Sequence, residues 1–416
     1  MKLKSKKLII GFCIYSFWIF LYSNFIYSQE VYLGIKKSFE KIDIFVDSSK
    51  TTGSNINNKE LVEGTNILKF DLEFSNFFRI SPVGIYTQSN PILYIIKSYI
   101  KKENEFYVLK GDILDGSSGQ VIMSSIFKDK EFRRVYHKYS DFIVSQLIGE
   151  KTSFLSKIVY VSTKTGKYTI MMMDYDGYNK TILVKNNYIN ISPALSPDHK
   201  YLAYVSYKYS IPSIILKNLQ TQEEFNITRG FDYAGSPSFS HDGTKLAFSA
   251  SRHGNSDIYI YDIKTKKITR VTRHWGIDTQ PAFSPTDKEI VFTSDRGGMP
   301  QIYIINIDGT LPTRISFEGK DNEDPSWSPD GTKIVYASYR DHGFKIVIKN
   351  IITGEEFLYT ASNNNESPTW APDGQHIAFE VGYGSYRQIK VLDLLTGESF
   401  YLTKIGSNFS PNWSFK

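Results

Sequence analysis

Between residues 158 and 415 apolar and polar positions alternate in short runs, as in Asp257-Ile258-Tyr259-Ile260-Tyr261 and Lys333-Ile334-Val335-Tyr336-Ala337. A period of two marks strands and excludes a solenoid of helices, whose apolar period is 3.6. The runs also recur. Proline, any residue and a bulky residue appear as Pro193-Ala194-Leu195, Pro237-Ser238-Phe239, Pro281-Ala282-Phe283, Pro325-Ser326-Trp327, Pro368-Thr369-Trp370 and Pro411-Asn412-Trp413, at intervals of 44, 44, 44, 43 and 43 residues. A turn follows, as in Ser240-His241-Asp242-Gly243, Ser328-Pro329-Asp330-Gly331 and Ala371-Pro372-Asp373-Gly374. Pro presets φ and Gly accepts positive φ, so these are tight hairpins. Two alternating strands come next, then a short one ending at a hydroxyl: Thr228, Thr272, Ser316, Thr360 or Thr403. Four antiparallel strands per repeat of this length make a propeller blade.

The ends of the repeat give the blade count. Ile158–Val184 supplies three strands with no innermost strand before them, and Phe409–Phe415 is an innermost strand with nothing after it. Together they predict an all-β six-bladed β-propeller over residues 153–416, closed by the C-terminal strand, which removes the exposed sheet edge. The bulky stripe from Leu195 to Trp413 is expected to pack between blades.

Residues 29–152 lack the repeat and predict an N-terminal α+β domain. Strands are expected at 31–35, 42–46, 92–100, 106–109 and 121–126, a helix at 59–77, and a second helix from Phe132 capped by Gly149. Ahead of this domain, Lys2, Lys4, Lys6 and Lys7 precede the uncharged run Leu8–Tyr27 and the small Ser28. That is the grammar of a signal peptide over residues 1–28, in a run long enough to cross a bilayer if it is kept as an anchor. The sole cysteine, Cys13, lies there too, leaving the rest no thiol for disulfides, zinc or catalysis. Without the four lysines the formal net charge of +6 becomes +2, so the basicity is no nucleic-acid footprint.

Catalytic signatures are sparse. There is no G-x-S-x-G elbow. The seven histidines form neither H-E-x-x-H nor i,i+4 pairs and are read as surface or loop residues. Asp174 and Asp176 before Gly177 hint at a calcium loop, but Tyr178 takes the next ligand position and no Glu follows at the twelfth, so a turn is expected. The hairpin aspartates should accept backbone hydrogen bonds. No cofactor or metal is expected.

Comparing blades within the chain separates two ends. Loops after strands one and three are uniform. Those after strand two and between blades vary: Tyr207-Lys208-Tyr209, Arg252-His253, Arg340-Asp341-His342 and Tyr386-Arg387, beside Asp278-Thr279-Gln280, Asn322-Glu323-Asp324 and Asn365-Glu366-Ser367. Binding function concentrates in variable loops on a rigid scaffold.

Several segments carry a family resemblance: Met173-Asp174-Tyr175-Asp176-Gly177-Tyr178-Asn179, Phe292-Thr293-Ser294-Asp295-Arg296-Gly297-Gly298 with Pro300-Gln301-Ile302-Tyr303, and Arg314-Ile315-Ser316-Phe317-Glu318-Gly319. In the first domain Asp71-Leu72, Ser75, Phe78, His137, Asp141, Leu147 and Gly149 join them. Together these resemble the TolB family, the periplasmic propellers of the Tol–Pal envelope system. The resemblance implies a non-enzymatic, monomeric periplasmic adaptor that supports outer-membrane integrity and cell division. It also implies binding of a Pal-like peptidoglycan-associated lipoprotein, with no nucleic acid and no small-molecule substrate. The family's lipoprotein contacts fall on Tyr233, Ser236, Thr279 and Gln280; Thr279 keeps the family residue, while Tyr233, Ser236 and Gln280 stand where His, Ala and Glu are common. Glu323 and Glu366, at the same end, extend the set. Glu30-Val31-Tyr32-Leu33-Gly34-Ile35 resembles the peptide that the family offers to a TolA-like inner-membrane protein, with Lys36 where an acid is expected. The alternative is an exported propeller hydrolase acting on cell-wall glycan or peptide through Asp278, Glu323, Asp324 or Glu366.

Overall fold

A computed structural model describes residues 40–53, 55–84, 91–360, 364–384 and 386–414. The predicted leader and the segment Glu30–Ile35 lie outside the described residues.

The N-terminal domain runs β1 (Ile42–Val46), β2 (Lys50–Thr51), α1 (Asn58–Phe74), β3 (Phe78–Ile80), β4 (Tyr94–Glu103), β5 (Phe106–Asp115), β6 (Val121–Asp129) and α2 (Phe132–Leu147). Its sheet has the order β3-β1-β4-β5-β6, with β1 parallel to both its neighbours and β2 extending the pairing along β4. A capping box starts α1: Asn57 Oδ1 accepts from Glu60 N–H at 3.0 Å, and the Glu60 carboxylate accepts from Asn57 N–H at 2.9 Å. The sequence pattern extends this helix to residue 77. It stops at Phe74 because Asn76 turns to φ +65° and Phe78 pairs with β1. The second helix ends as expected, on Gly149 at φ +83°. The β5 strand outruns its predicted end at 109, since it pairs with β4 and β6 as far as Leu114 and Asp115.

Both helices cover one sheet face. Ile67, Leu68 and Leu72 of α1 and Val135, Tyr136, Tyr139 and Ile143 of α2 are buried over Ile96, Ile100, Leu109 and Ile113. The helices touch so closely that a Cβ on Gly64 would lie 2.1 Å from the Tyr136 ring.

The propeller has the six predicted four-stranded sheets. Blade 1 joins the C-terminal strand Asn408–Trp413 to Lys157–Ser162, Thr169–Asp174 and Thr181–Val184, with Trp413 opposite Ile158. Blades 2 to 6 follow in chain order, their innermost strands at Asn190–Leu195, Tyr233–Phe239, Asp278–Phe283, Asn322–Trp327 and Asn365–Trp370. The repeat proline marks a β-bulge in all six innermost strands. Proline has no N–H to donate, so a bulge is where a strand tolerates it. The residue before it is left-handed every time, at φ between +49° and +53°: Ser192, Ser236, Gln280, Asp324, Ser367 and Ser410.

The bulky stripe is buried between blades, as expected. The hydroxyl beat has a structural use as well. Thr228, Thr272, Ser316, Thr360 and Thr403 lie just beyond strand four, and each hydroxyl accepts a backbone N–H of strand three at 2.8–2.9 Å. The hairpin aspartates Asp198, Asp242, Asp330 and Asp373 accept backbone N–H groups two residues on.

The N-terminal domain sits on the uniform-turn end. Asn76 bonds Asp393 at 3.0 Å, Ser153 bonds Asp373 at 2.6 Å, and the Phe74 ring stacks on His376 at 3.8 Å. One apolar cluster runs from its helices through Ile158, Met173, Ile389 and Trp413 of blades 1 and 6.

Candidate functional site

The innermost strands converge on a central channel, a cavity of about 240 Å³ lined by the residues that precede the repeat prolines and by the prolines themselves. The bulge geometry turns these left-handed residues toward it. Two predicted contact residues, Ser236 and Gln280, stand in this wall. Thr279, Glu323 and Glu366 hold one equivalent position, two residues before the proline, in blades 4, 5 and 6. Tyr233 opens the innermost strand of blade 3, 39% exposed, its hydroxyl folded over Gly235, where an added Cβ would lie 2.3 Å away. The predicted residues therefore form an arc across blades 3 to 6 at the variable-loop end, opposite the N-terminal domain. The other predicted set, Glu30–Ile35, lies outside the described residues.

Polar groups link neighbouring blades around the channel. Gln280 Oε1 accepts Asp324 N–H at 3.1 Å, and Ser367 Oγ donates to Asp324 Oδ2 at 3.1 Å. Glu380 Oε2 accepts Ser410 N–H at 2.8 Å. Glu380 also pairs with Arg387 at 2.5 Å, and the same guanidinium reaches Glu366 at 3.7 Å.

Carboxylates dominate here, and their protonation is displaced. Burial, helped by Asp324, Asp321 and Glu366, pushes Glu323 up to about 7. Burial and Glu366 raise Asp324 to about 6. Burial raises Glu380 to about 7, against the lowering pull of Ser410 N–H and Arg387. Asp321 is raised by burial, and its Oδ1 has no hydrogen-bond partner among the described residues.

Glu380 was absent from the predicted set, although a signal for it existed. In strand two it stands where the other blades carry Val161, Val205, Ser249, Thr293 and Ala337, the one carboxylate in the series. Asp278, a candidate for hydrolysis, is fully buried and held by Arg296 through two 2.9 Å bonds. It is a structural ion pair.

The expectation of surface histidines fails at two positions. His137 and His376 are buried, because each has a carboxylate to bond: Asp71 at 2.9 Å and Asp373 at 3.0 Å. Among the described residues one group could bring three metal-ligand atoms within 4.8 Å of one another: His137, Asp174 and Asp176. Protein cations already serve both carboxylates, Lys157 on Asp174 and Arg133 on Asp176. The turn expected there is present, with Gly177 at φ +83° and its N–H bonded to Asp174 O at 2.9 Å.

Residues 144–416 match the family model described as the TolB beta propeller domain. The Tol-Pal system protein TolB of Geobacter sulfurreducens is 31% identical over 195 residues, 42% of this chain and 45% of that protein. Its counterpart from Blochmanniella floridana is 30% identical over 252 residues, 56% of this chain and 54% of that protein. The match thus spans about half the length of these curated relatives. The crystal structure of TolB from Acinetobacter baumannii superposes with a TM-score of 0.77 at 28% identity, covering 90% of this chain and 97% of that one.

Proposed function

The chain belongs to the TolB β-propeller family, and from that premise we propose that it works as a non-enzymatic adaptor in the periplasm. It is exported by its N-terminal leader, binds a Pal-like peptidoglycan-associated lipoprotein at the open channel mouth, and offers Glu30–Ile35 to a TolA-like inner-membrane protein. In this role it supports outer-membrane integrity and cell division.

The observation that carries the reading is the division of the propeller into two ends. The N-terminal domain covers turns at one end. At the other, Tyr233, Ser236, Thr279, Gln280, Glu323 and Glu366 form an arc across blades 3 to 6, with Ser236 and Gln280 in the channel wall. Tyr233 is the aromatic candidate for an anchor within a polar rim. Thr279→Arg tests it by calorimetry against the lipoprotein's soluble domain. Binding should be lost while the thermal midpoint stays nearly unchanged, because the Thr279 hydroxyl makes only one 3.4 Å bond, to Ser249. Unchanged affinity would remove this face from the reading.

One observation favours hydrolysis instead: carboxyls that stay partly protonated near neutrality, Glu323 and Glu380, lie in one cluster with Glu366. Paired acids of unequal protonation are what glycoside cleavage uses. Release of cell-wall fragments by the wild type, lost in Glu323→Gln, would favour that activity.

A further inference from the structure

Two buried histidines stand at the joint between the N-terminal domain and the propeller: His376 stacks on Phe74 and bonds Asp373 of its own blade, while His137 faces carboxylates of both units. His137 of α2 is 2% exposed. Its Nδ1 bonds Asp71 Oδ2 of α1 at 2.9 Å, and its Nε2 lies 3.8 Å from Asp176 Oδ2 of the propeller. The Tyr175 ring meets the imidazole edge-on at 5.5 Å, while the Tyr175 hydroxyl donates to the other Asp71 oxygen. Arg133, one turn before His137 on α2, pairs with both Asp176 and Glu63. Asp174 completes the setting, paired with Lys157 and accepting from Asn179 at 2.7 Å.

From α1 come Asp71 and Glu63, and from the propeller Asp174 and Asp176. Against four carboxylates stand two fixed cations, Arg133 and Lys157. Glu63 is half-exposed at the rim, so a neutral imidazole would leave three buried carboxylates facing two cations, one uncompensated negative charge in the joint, which is costly. It would also leave Nε2 without a partner, since no hydrogen bond reaches it among the described residues. A protonated ring answers both problems, giving one N–H to Asp71 and directing the other toward Asp176.

We propose that His137 is a proton-operated latch: as an imidazolium it ties Asp71 of the first domain to Asp176 of the propeller, and loss of its proton loosens the hold of one domain on the other. Burial by itself would push the imidazole down, but the Asp71 carboxylate, with Asp176, outweighs it and the repulsion of Arg133, so the group titrates above its ordinary value. A folded-state value raised in this way stabilises the joint below the unfolded value of about 6.5. The stabilisation disappears as pH rises through the folded value.

The test follows the ring itself in the full exported chain, with ¹⁵N-labelled histidine. The latch requires both His137 nitrogens protonated at pH 6.5 and a midpoint above that. Asp176→Asn should lower the midpoint by about one unit. Amide exchange of residues 132–147 and 171–178, corrected for intrinsic rates, should accelerate above the wild-type midpoint, and His137→Gln should abolish that pH dependence. A neutral single tautomer at pH 6.5, a midpoint indifferent to Asp176→Asn, or interface exchange that is flat across the titration would each overturn the proposal. The wild-type titration decides the matter even if a variant fails to fold.

Discussion

Where the N-terminal domain meets the propeller, acids find counterparts: Asp71 has His137, Asp176 has Arg133, Asp373 has His376, and Asp393 has Asn76. At the variable-loop end Arg387 bonds Glu380 and reaches Glu366, while among the described residues no ion pair reaches Glu323 or Asp324. At the covered end Asp71, Asp176, Asp373 and Asp393 each have a bonded partner in their own chain. The open end keeps an excess of one sign and displaced protonation, at a cost in stability that a purely structural surface has no reason to bear. The first pattern fits a permanent joint, and the second fits a surface awaiting something from outside.

Removal of residues 409–416 attacks what both ends share. Blade 1 would lose the strand pairing Trp413 with Ile158 and Phe409 with Val161, and the ring would gain an open edge. Trp413 also donates its Nε1 to Ser156 Oγ at 2.7 Å beneath the first domain. The expected outcome is loss of the cooperative thermal transition by circular dichroism. A truncated protein melting where the intact one does would refute closure by the tail.

Next in size is Asp71→Ala, which breaks the covered end alone. It strips a buried, bonded carboxylate from His137 and Tyr175 and leaves Arg133 and His137 facing fewer counter-charges. Removing one partner of a buried pair costs about 3–5 kcal/mol. Denaturant unfolding should show that loss. A cost below about 1 kcal/mol would mean that the joint is held by apolar packing and not by its charges.

How much of this was readable beforehand follows from the physics of each feature. The blades were legible because proline, bulky residue, turn aspartate and hydroxyl each answer a local backbone need that recurs every 43 or 44 residues. The two ends of α1 were partly legible: the capping residues Asn57 and Glu60 lie in the sequence, but the stop at Phe74 depends on Phe78 pairing with β1, a tertiary demand. The pairing of Glu380 with Arg387, seven residues away, is a hairpin contact, and only comparison across blades exposes Glu380 as the odd member of its column. The burial of His137 is not legible because Asp71 lies 66 residues away, so no local pattern announces their bond, whereas Asp373 stands only three residues before His376 and that pair is open to a local reading.

Glu380→Gln sharpens the contrast from the open side. A carboxyl raised to about 7 contributes stability below its unfolded value near 4.3, and that contribution is lost as pH climbs through 7. The amide can still accept from Ser410 N–H, so the variant removes the titration while keeping the bond. Its stability should fall less than that of the wild type between pH 5 and pH 8, by about 1–2 kcal/mol. Parallel curves would mean that Arg387 compensates Glu380 fully, and the two ends would then differ less than their geometry suggests.

The smallest effect compares two threonines. Thr272 Oγ1 accepts the buried N–H of Ile258 at 2.9 Å, one of the five staples that repeat around the propeller. In Thr272→Val the Ile258 carbonyl still accepts Val271 N–H at 2.8 Å, but the Ile258 N–H loses its acceptor. Leaving a buried donor unbonded costs about 1–3 kcal/mol. Thr279→Val at the open mouth loses only the 3.4 Å bond to Ser249, and its cost should stay within about 0.5 kcal/mol. Equal losses in chemical denaturation would show that the open-end hydroxyl is as structural as the staple. Thr279 would then be constrained by the fold as well as free to serve a partner.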